Sequence, residues 1–341
     1  ENLYYYDINS LYPYVMKENL FPTGKCIYFE CGLDKPIELK DQFGILYAKI
    51  VCPKYLNVPI LLHKGKAMTG TWFGWYFSEE LINAVKYGYT IEIYKGYTYE
   101  KDYIFKDYVD TLYNNRLKYP KTDVKNLISK LLLNSLYGRF GLNLNMHEYS
   151  MLPLSGDIKP KSLEAEHIID FENGFGMISN NVYKNTEDTK NIAQVSLPIA
   201  MAVTAYARIL INKFKNKYEN NLYYSDTDSI ILDVPLDDKF IGTELGKFKL
   251  ECKINRGVFL GPKLYGLEVL DFEKGVIDEI VKSKGFKKKI KFSEIISLLN
   301  VDSNLSLNQE KWFRSIKDAN ITIKETPYNL KVNNNKRIWV I

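Results

Sequence analysis

The chain opens with an apolar and aromatic run, Leu3-Tyr4-Tyr5-Tyr6, that ends on a single carboxylate, Asp7, ahead of Asn9 and Ser10. A run of this kind predicts a buried strand followed by a turn. A short helix stopping near Gly24 is expected next. Residues 26–97 read as a separate α/β unit. In it "GILYAKIV" and "YTIEIYKGYTY" are strand-like, and "SEELINAVKYG" is a helix with Ser78 as N-cap and Gly88 as stop. Two helical stretches between Asp102 and Phe140, parted at Pro120, predict a helical hairpin. Residues 141–190 have weak periodicity and many Asn, Gly and Ser, which predicts a β-rich or irregular insertion. An apolar helix over 192–215 follows. Then "NLYYSDTDSIILDV" predicts a hairpin with Asp226 and Asp228 at its bend. The strand-like "GKFKLE" and "FLGPKLYGLEV" lead into a Lys-dense stretch over 281–292, and the last fifty residues read as a small mixed lobe.

Composition narrows the class. With 341 residues, 46% hydrophobic and 26% charged, the chain suits a globular protein of two or three lobes. A net charge of +5 permits a polyanionic partner without demanding one. Only six of the 46 Lys and Arg are Arg, and with many Asn, Ile and Tyr this points to an AT-rich gene. Four cysteines without a CxxC pair and three scattered histidines argue against a zinc site or disulfide framework, and for a reducing compartment. The most apolar stretch, 195–211, contains Pro198 and Arg208, so a buried helix is expected there and no membrane insertion.

The chemistry begins at "YYSDTDS", residues 223–229. Alternation lets Asp226 and Asp228 point the same way at the tip of a hydrophobic hairpin. Two close carboxylates repel unless a cation lies between them, and oxygen donors with no His or Cys nearby favour Mg²⁺ or Mn²⁺. Taken alone, such a pair more commonly caps a turn. Asp7 changes the balance, because a third carboxylate at another strand tip supplies what two-metal phosphoryl transfer needs.

The third element is "KLLLNSLYG", 130–138. On a helix Lys130, Asn134 and Tyr137 fall at i, i+4 and i+7 and share one face. That face offers a cation for phosphate, an amide and a flat ring for a base, with Gly138 allowing close approach of a strand. A solvated face with one buried Tyr is the alternative. Arg116, with Lys118 as its rival, would add a planar fork to the same triphosphate.

In this order "DINSLYP", "KLLLNSLYG" and "YSDTDS" resemble motifs A, B and C of family-B DNA polymerases, and most closely the protein-primed branch of bacteriophages, adenoviruses and linear mitochondrial plasmids. "GPKLYG", 261–266, resembles that branch's Lys-x-Tyr motif. The resemblance implies an α+β right-hand polymerase fold: a palm with an antiparallel sheet, helical fingers, a small thumb and two terminal-protein-region-like insertions. Its parts would be palm over 1–18 and 191–285, insertions over 19–97 and 141–190, fingers over 98–140, and thumb with the C-terminal end over 286–341. It further implies Asp7, Asp226 and Asp228 as catalytic carboxylates. Two Mg²⁺ ions, or Mn²⁺ as substitute, would sit on Asp7, Asp228 and the Ile8 carbonyl. Ser10 and Leu11 would meet the triphosphate through backbone N–H groups, and Tyr12 would exclude a 2′-hydroxyl. Arg116, Lys130, Asn134 and Tyr137 would complete the nucleotide site. Ser135, Gly138, Thr227, Lys263, Tyr265, Lys284, Lys287 and Lys288 would contact DNA. The implied partners are primer-template DNA, dNTPs and a terminal protein that acts as primer.

The family carries an N-terminal exonuclease domain to which nothing here corresponds, so a polymerase half without proofreading is expected. Two rival readings stand beside it: a catalytically inactive relic that still binds DNA or terminal protein, and another palm-type enzyme such as a reverse transcriptase or nucleotide cyclase. The latter would lack "KLLLNSLYG" between its acidic motifs. The preference for Lys over Arg and the AT-rich residue usage favour a mitochondrial linear plasmid as the source, with a virus or phage of an AT-rich host as the alternative.

Overall fold

In a computed structural model, the residues described are all except 1, 32–36, 144–146, 154–166, 173, 182–194, 272–275, 287, 301–302, 316–319, 332–336 and 340–341. Contacts divide the chain into two compact units, one of Glu1–Tyr137, Leu197–Leu305 and Asn329–Ile341, the other of Gly138–Ser196 and Ser306–Tyr328. This division groups 306–328 with the 141–190 segment and not with the rest of the expected C-terminal lobe.

The first unit is built on β1 (Leu3–Ile8), a central strand of a six-stranded antiparallel sheet ordered β11-β12-β1-β13-β14-β15. The other strands are β11 (Leu222–Asp226), β12 (Ser229–Leu232), β13 (Phe248–Gly261), β14 (Leu264–Asp271) and β15 (Val276–Ser283). Alternation sorts β1 onto two faces. Tyr6 and Ile8 are buried on one, where Phe248 packs against Phe214 of α5 (Leu197–Lys217) with ring centroids 4.7 Å apart. Leu3 lies on the other, in a cluster with Ile231, Ile254, Tyr265 and Leu267. Helix α5 is long and apolar enough to cross a membrane, and half of its most apolar window is buried within the fold.

A second sheet, ordered β2-β7-β3-β6, comprises β2 (Phe21–Glu30), β3 (Gly44–Val51), β6 (Thr71–Phe77) and β7 (Thr90–Asp102). One face carries Leu46, Ala48, Ile50 and Trp72 onto Leu81 and Ala84 of α2 (Ser78–Lys86). The other bears an aromatic ladder, Tyr28–Tyr97–Trp75–Tyr47–Phe73, with neighbouring centroids 5.2, 5.9, 5.3 and 6.2 Å apart. Such cross-strand pairs each stabilise a sheet by about 0.2–1 kcal/mol. A small sheet of β4 (Leu62–His63), β5 (Lys66–Thr69) and β18 (Arg337–Trp339) completes this part.

Buried polar contacts bind the second sheet and α2 to α5. Arg208 Nε and Nη2 donate to the two Glu80 oxygens at 2.6 and 2.8 Å, and Asn212 donates to the Ile60 carbonyl at 3.0 Å. Helices α1 (Leu11–Glu18) and α3 (Lys106–Lys118) are joined by a Lys17–Asp110 ion pair at 2.6 Å. Helix α4 (Val124–Phe140) buries Asn126, Ser129 and Leu133 while Leu127, Leu131 and Leu132 stay exposed. Asn126 is inside because its amide donates to the Arg116 and Tyr119 carbonyls, two groups that the end of α3 leaves unsatisfied. Helix α6 (Phe292–Ser297) buries Phe292 and Ile295. The second unit holds a three-stranded sheet of β8 (His147–Pro153), β10 (Phe175–Asn181) and β9 (His167–Asp170), and a pair, β16 (Leu305–Ser315) with β17 (Asn320–Leu330).

Two local expectations are corrected. The first helix ends at Glu18, and Gly24 lies inside β2, where its φ of 68° accompanies a bulge between Thr23 and Ile27. Ser78 is not the cap but the first helical residue. Its hydroxyl accepts the Gly44 N–H at 3.1 Å, which ties α2 to the start of β3.

Candidate functional site

Strand register brings the acidic residues together. Asp7 is opposite Ser229 on one side and Lys249 on the other, and Ser229 is opposite Asp226. Residues paired across antiparallel strands share a face, so Asp226, Ser229, Asp7 and Lys249 form one row across four strands. Asp228 sits in the turn at the end of that row. The Ile8 N–H donates to its carbonyl at 2.9 Å, and its own N–H donates to the Asp226 carbonyl at 2.7 Å. This three-residue turn holds Thr227 at a φ of 55°, a left-handed conformation that a β-branched residue rarely adopts.

The three carboxylates are electrostatically unequal. Burial, then the charges of Asp228 and Glu251, raise the pKa of Asp7 to about 7 despite the opposing Lys249. Burial, reinforced by Asp226, also raises Asp228. Asp226 instead pairs with the ammonium of Lys263 and accepts from the Thr227 hydroxyl at 3.3 Å. Among the described residues no three His, Cys, Asp or Glu side chains converge as a ready-made metal cluster. Of the expected trio, Asp226 is the member paired with a cation. The donors left, Asp7 and Asp228, are hard oxygens whose charged forms are disfavoured by burial and by nearby negative charge. A divalent cation relieves both penalties, so this pair fits Mg²⁺ or Mn²⁺.

Beside this row the strand-to-helix turn after β1 is fixed tightly. Asn9 donates its amide to the Gly242 carbonyl at 2.9 Å, and its backbone bonds Lys247 and Gly246, both at 2.9 Å. Gly246, with φ of 81°, lies under Tyr14, where an added Cβ would come within 2.3 Å of the ring. Ser10 precedes α1 with φ of 51°, and Leu11 is buried at the helix start. Arg116 Nη1 donates to Ser10 Oγ at 3.4 Å, while its buried Nε has no hydrogen-bond partner among the described residues. The Tyr12 ring lies 4.2 Å from that of Tyr137, and burial chiefly lifts the Tyr12 hydroxyl to about 12.

The expected site residues thus fall into groups. Asp7, Ile8, Asp226, Thr227, Asp228 and Lys263 meet at the strand tips. Ser10, Leu11, Tyr12, Arg116 and Tyr137 meet at the start of α1. Lys118 is exposed at the end of α3, and it is Arg116 that reaches Ser10. Lys130 and Asn134 are exposed on α4, two turns and one turn before Tyr137, and Ser135 is exposed too. Space within 4 Å of an added Cβ at Gly138 is open. Tyr265 is 8% exposed and belongs to the core, unlike the exposed Lys263 two residues before it. Exposed Lys284 donates its N–H to the Lys263 carbonyl at 3.0 Å, Lys288 is exposed, and Lys287 lies outside the described residues. Lys249, Glu251, Asn9 and Gly246 were missed by sequence reasoning. The alternation in "GKFKLE" identified their strand but not its neighbour.

The chain is similar in sequence and in fold to known proteins. Residues 1–221 match the family model for DNA polymerase type B, organellar and viral. The chain is 37% identical over 340 residues to a probable DNA polymerase of Neurospora intermedia, covering 95% of this chain and 35% of that protein. It is likewise 37% identical over 357 residues to a probable DNA polymerase of Ascobolus immersus, covering 100% of this chain and 28% of that one. It therefore spans about a third of the length of these relatives. The fold resembles that of phi29 DNA polymerase complexed with primer-template DNA, with a TM-score of 0.71 and 19% identity over 96% of this chain and 58% of that one. Mixed α and β elements and antiparallel sheets are the fold that this likeness shows. The chain belongs to the organellar and viral type B DNA polymerases.

Proposed function

We propose that the chain is the polymerase portion of a DNA-directed DNA polymerase, adding dNTPs to a primer 3′-hydroxyl opposite a template. The row formed by Asp226, Ser229, Asp7 and Lys249, ending at Asp228, carries this reading. Asp7 and Asp228, with the Ile8 carbonyl, would hold two Mg²⁺ ions, which when bound supply an activated hydroxyl and neutralise triphosphate charge. The chain's own residues do the remaining work. The first amides of α1 offer unsatisfied N–H donors to phosphate, and Arg116, whose Nη1 reaches Ser10, adds a guanidinium at the same place. Lys130 adds a mobile cation from α4. The packed rings of Tyr12 and Tyr137 make an aromatic wall for sugar and base, with Asn134 one turn before Tyr137 on α4. Lys263, and the lysines 284 and 288 after it, approach the DNA backbone through sequence-independent charge.

Primer extension with Mg²⁺ and dNTPs, run on the chain and on Asp228→Ala, tests the reading. Template-directed extension that Asp228→Ala abolishes is the expected result. DNA binding without extension by either protein would instead assign the chain to an inactive, DNA-binding relic. Priming by a terminal protein, and residence in a mitochondrion on a linear plasmid, are parts of the same proposal. A serine, threonine or tyrosine hydroxyl of a co-purifying protein should accept the first dNMP. Label transferred only to DNA primers would remove the priming part, and fractionation of the source cells checks the location.

A further inference from the structure

The turn between β13 and β14 returns to a strand that is not its neighbour in the sheet, since β12 and β1 lie between β11 and β13. Two residues of β11, at i and i+2 on one face, receive it. The Tyr224 hydroxyl accepts the Lys263 backbone N–H at 2.9 Å, and the Asp226 carboxylate accepts the Lys263 ammonium. Tyr224 is itself held, stacked 5.6 Å from Phe259 and packed 5.0 Å from Tyr265, so the residues flanking the turn close round it. Both clasped segments have left-handed backbones, Thr227 at φ of 55° and Lys263 at the same value. Backbone strain persists where surrounding contacts over-determine it. A cleft of about 440 Å³ opens alongside, with Tyr223, Asp226, Phe259 and Lys263 in its wall. The clasp is therefore reachable from solvent and is not sealed in the core.

We propose that Asp226 is a positioning residue for Lys263 and not a third metal ligand, an inference that rests on the polymerase reading above. Its carboxylate fixes a flexible four-carbon side chain whose ammonium would otherwise sample many rotamers. The Tyr224 hydroxyl fixes the backbone from which that side chain springs. Asp226 thus acts on the primer end through Lys263, while Asp7 and Asp228 serve the cations.

The experiment compares Asp226→Asn, Lys263→Met and the double variant in the full chain. For each, KM for primer-template, kcat and the Mg²⁺ concentration for half-activation are measured, with Asp228→Asn as reference. Each single change should raise KM for primer-template by roughly tenfold, as loss of one charge-assisted contact to phosphate does. The double should be no worse than the worse single, with Mg²⁺ half-activation unchanged. The proposal is overturned if Asp226→Asn shifts Mg²⁺ activation as Asp228→Asn does, or if the effects of the two single changes multiply. A readout independent of turnover is acetylation of Lys263 by acetic anhydride, followed by mass spectrometry on the wild-type chain and on Asp226→Asn. Faster Lys263 labelling in the variant supports the clasp, and equal labelling removes it. Wild type without extension would overturn the polymerase reading alone, leaving the labelling to decide the clasp.

Discussion

Tyr12 and Tyr137 pack with ring centroids 4.2 Å apart and planes tilted by 40°, which joins the first turn of α1 to a helix more than a hundred residues away in sequence. The contact sets the C-terminal end of α4 against the start of α1. It also makes Tyr12 a stiff wall and not a mobile side chain. A rigid ring excludes an extra hydroxyl by overlap, whereas a soft pocket discriminates an added hydroxyl poorly. Tyr12→Ala should therefore lower the preference for dNTPs over ribonucleotides by at least about tenfold in single-nucleotide insertion assays. Unchanged selectivity would rule out a steric role.

Asp7 sets a pH dependence whose sign follows from its surroundings. Its carboxyl ordinarily titrates near 3.8, and in the fold burial and Asp228 raise this to about 7. Between those values the folded chain holds a proton that the unfolded chain has released, so stability contributed by Asp7 falls as pH rises. The metal-free chain in EDTA should lose roughly 1–3 degrees of melting temperature between pH 4.5 and pH 8, which is what ~1 kcal/mol, discounted for solvent screening of a half-buried carboxyl, gives in a chain of this length. Asp7→Asn should flatten that slope. Added Mg²⁺ should reverse the loss at the high-pH end, where the charged carboxylate is available to it. Identical melting curves for wild type and Asp7→Asn across this range would show that the carboxyl titrates normally.

Glu80 is 4% exposed at its side chain and answers Arg208 with both oxygens. Removing one member of such a pair leaves the other's charge buried and uncompensated. Glu80→Ala should cost about 3–5 kcal/mol in urea unfolding. Glu80→Leu paired with Arg208→Met should recover most of that loss, because an apolar pair of similar volume needs no solvation. Equal destabilisation by the single and double changes would mean that packing, not charge, holds α2 to α5.

The reach of sequence reasoning differed from element to element, and the physical cause is visible in each. Strands ending on Asp7 and Asp226 were legible because an apolar run broken by a carboxylate is a local signal. The α3–α4 hairpin was legible because Pro120 parts two helical patterns. Gly24 misled because a left-handed glycine ends a helix or makes a bulge equally well, and only the pairing of β2 with β7 separates the two. Ser78 misled because its hydroxyl is claimed by Gly44, thirty-four residues away.

By itself the sequence determined which residues could carry the chemistry: three carboxylates at strand tips, a Lys-Asn-Tyr stripe and a Lys-x-Tyr turn. Alternation and helical spacing are properties of neighbouring residues, so a linear text records them. Tertiary structure alone decided which partner each of those carboxylates faces. Lys249 faces Asp7 only because β13 pairs with β1, and Lys263 reaches Asp226 only because its turn folds back past two strands. Both relationships arise between segments with no local signal for each other, where burial and register, not spacing, choose the partner.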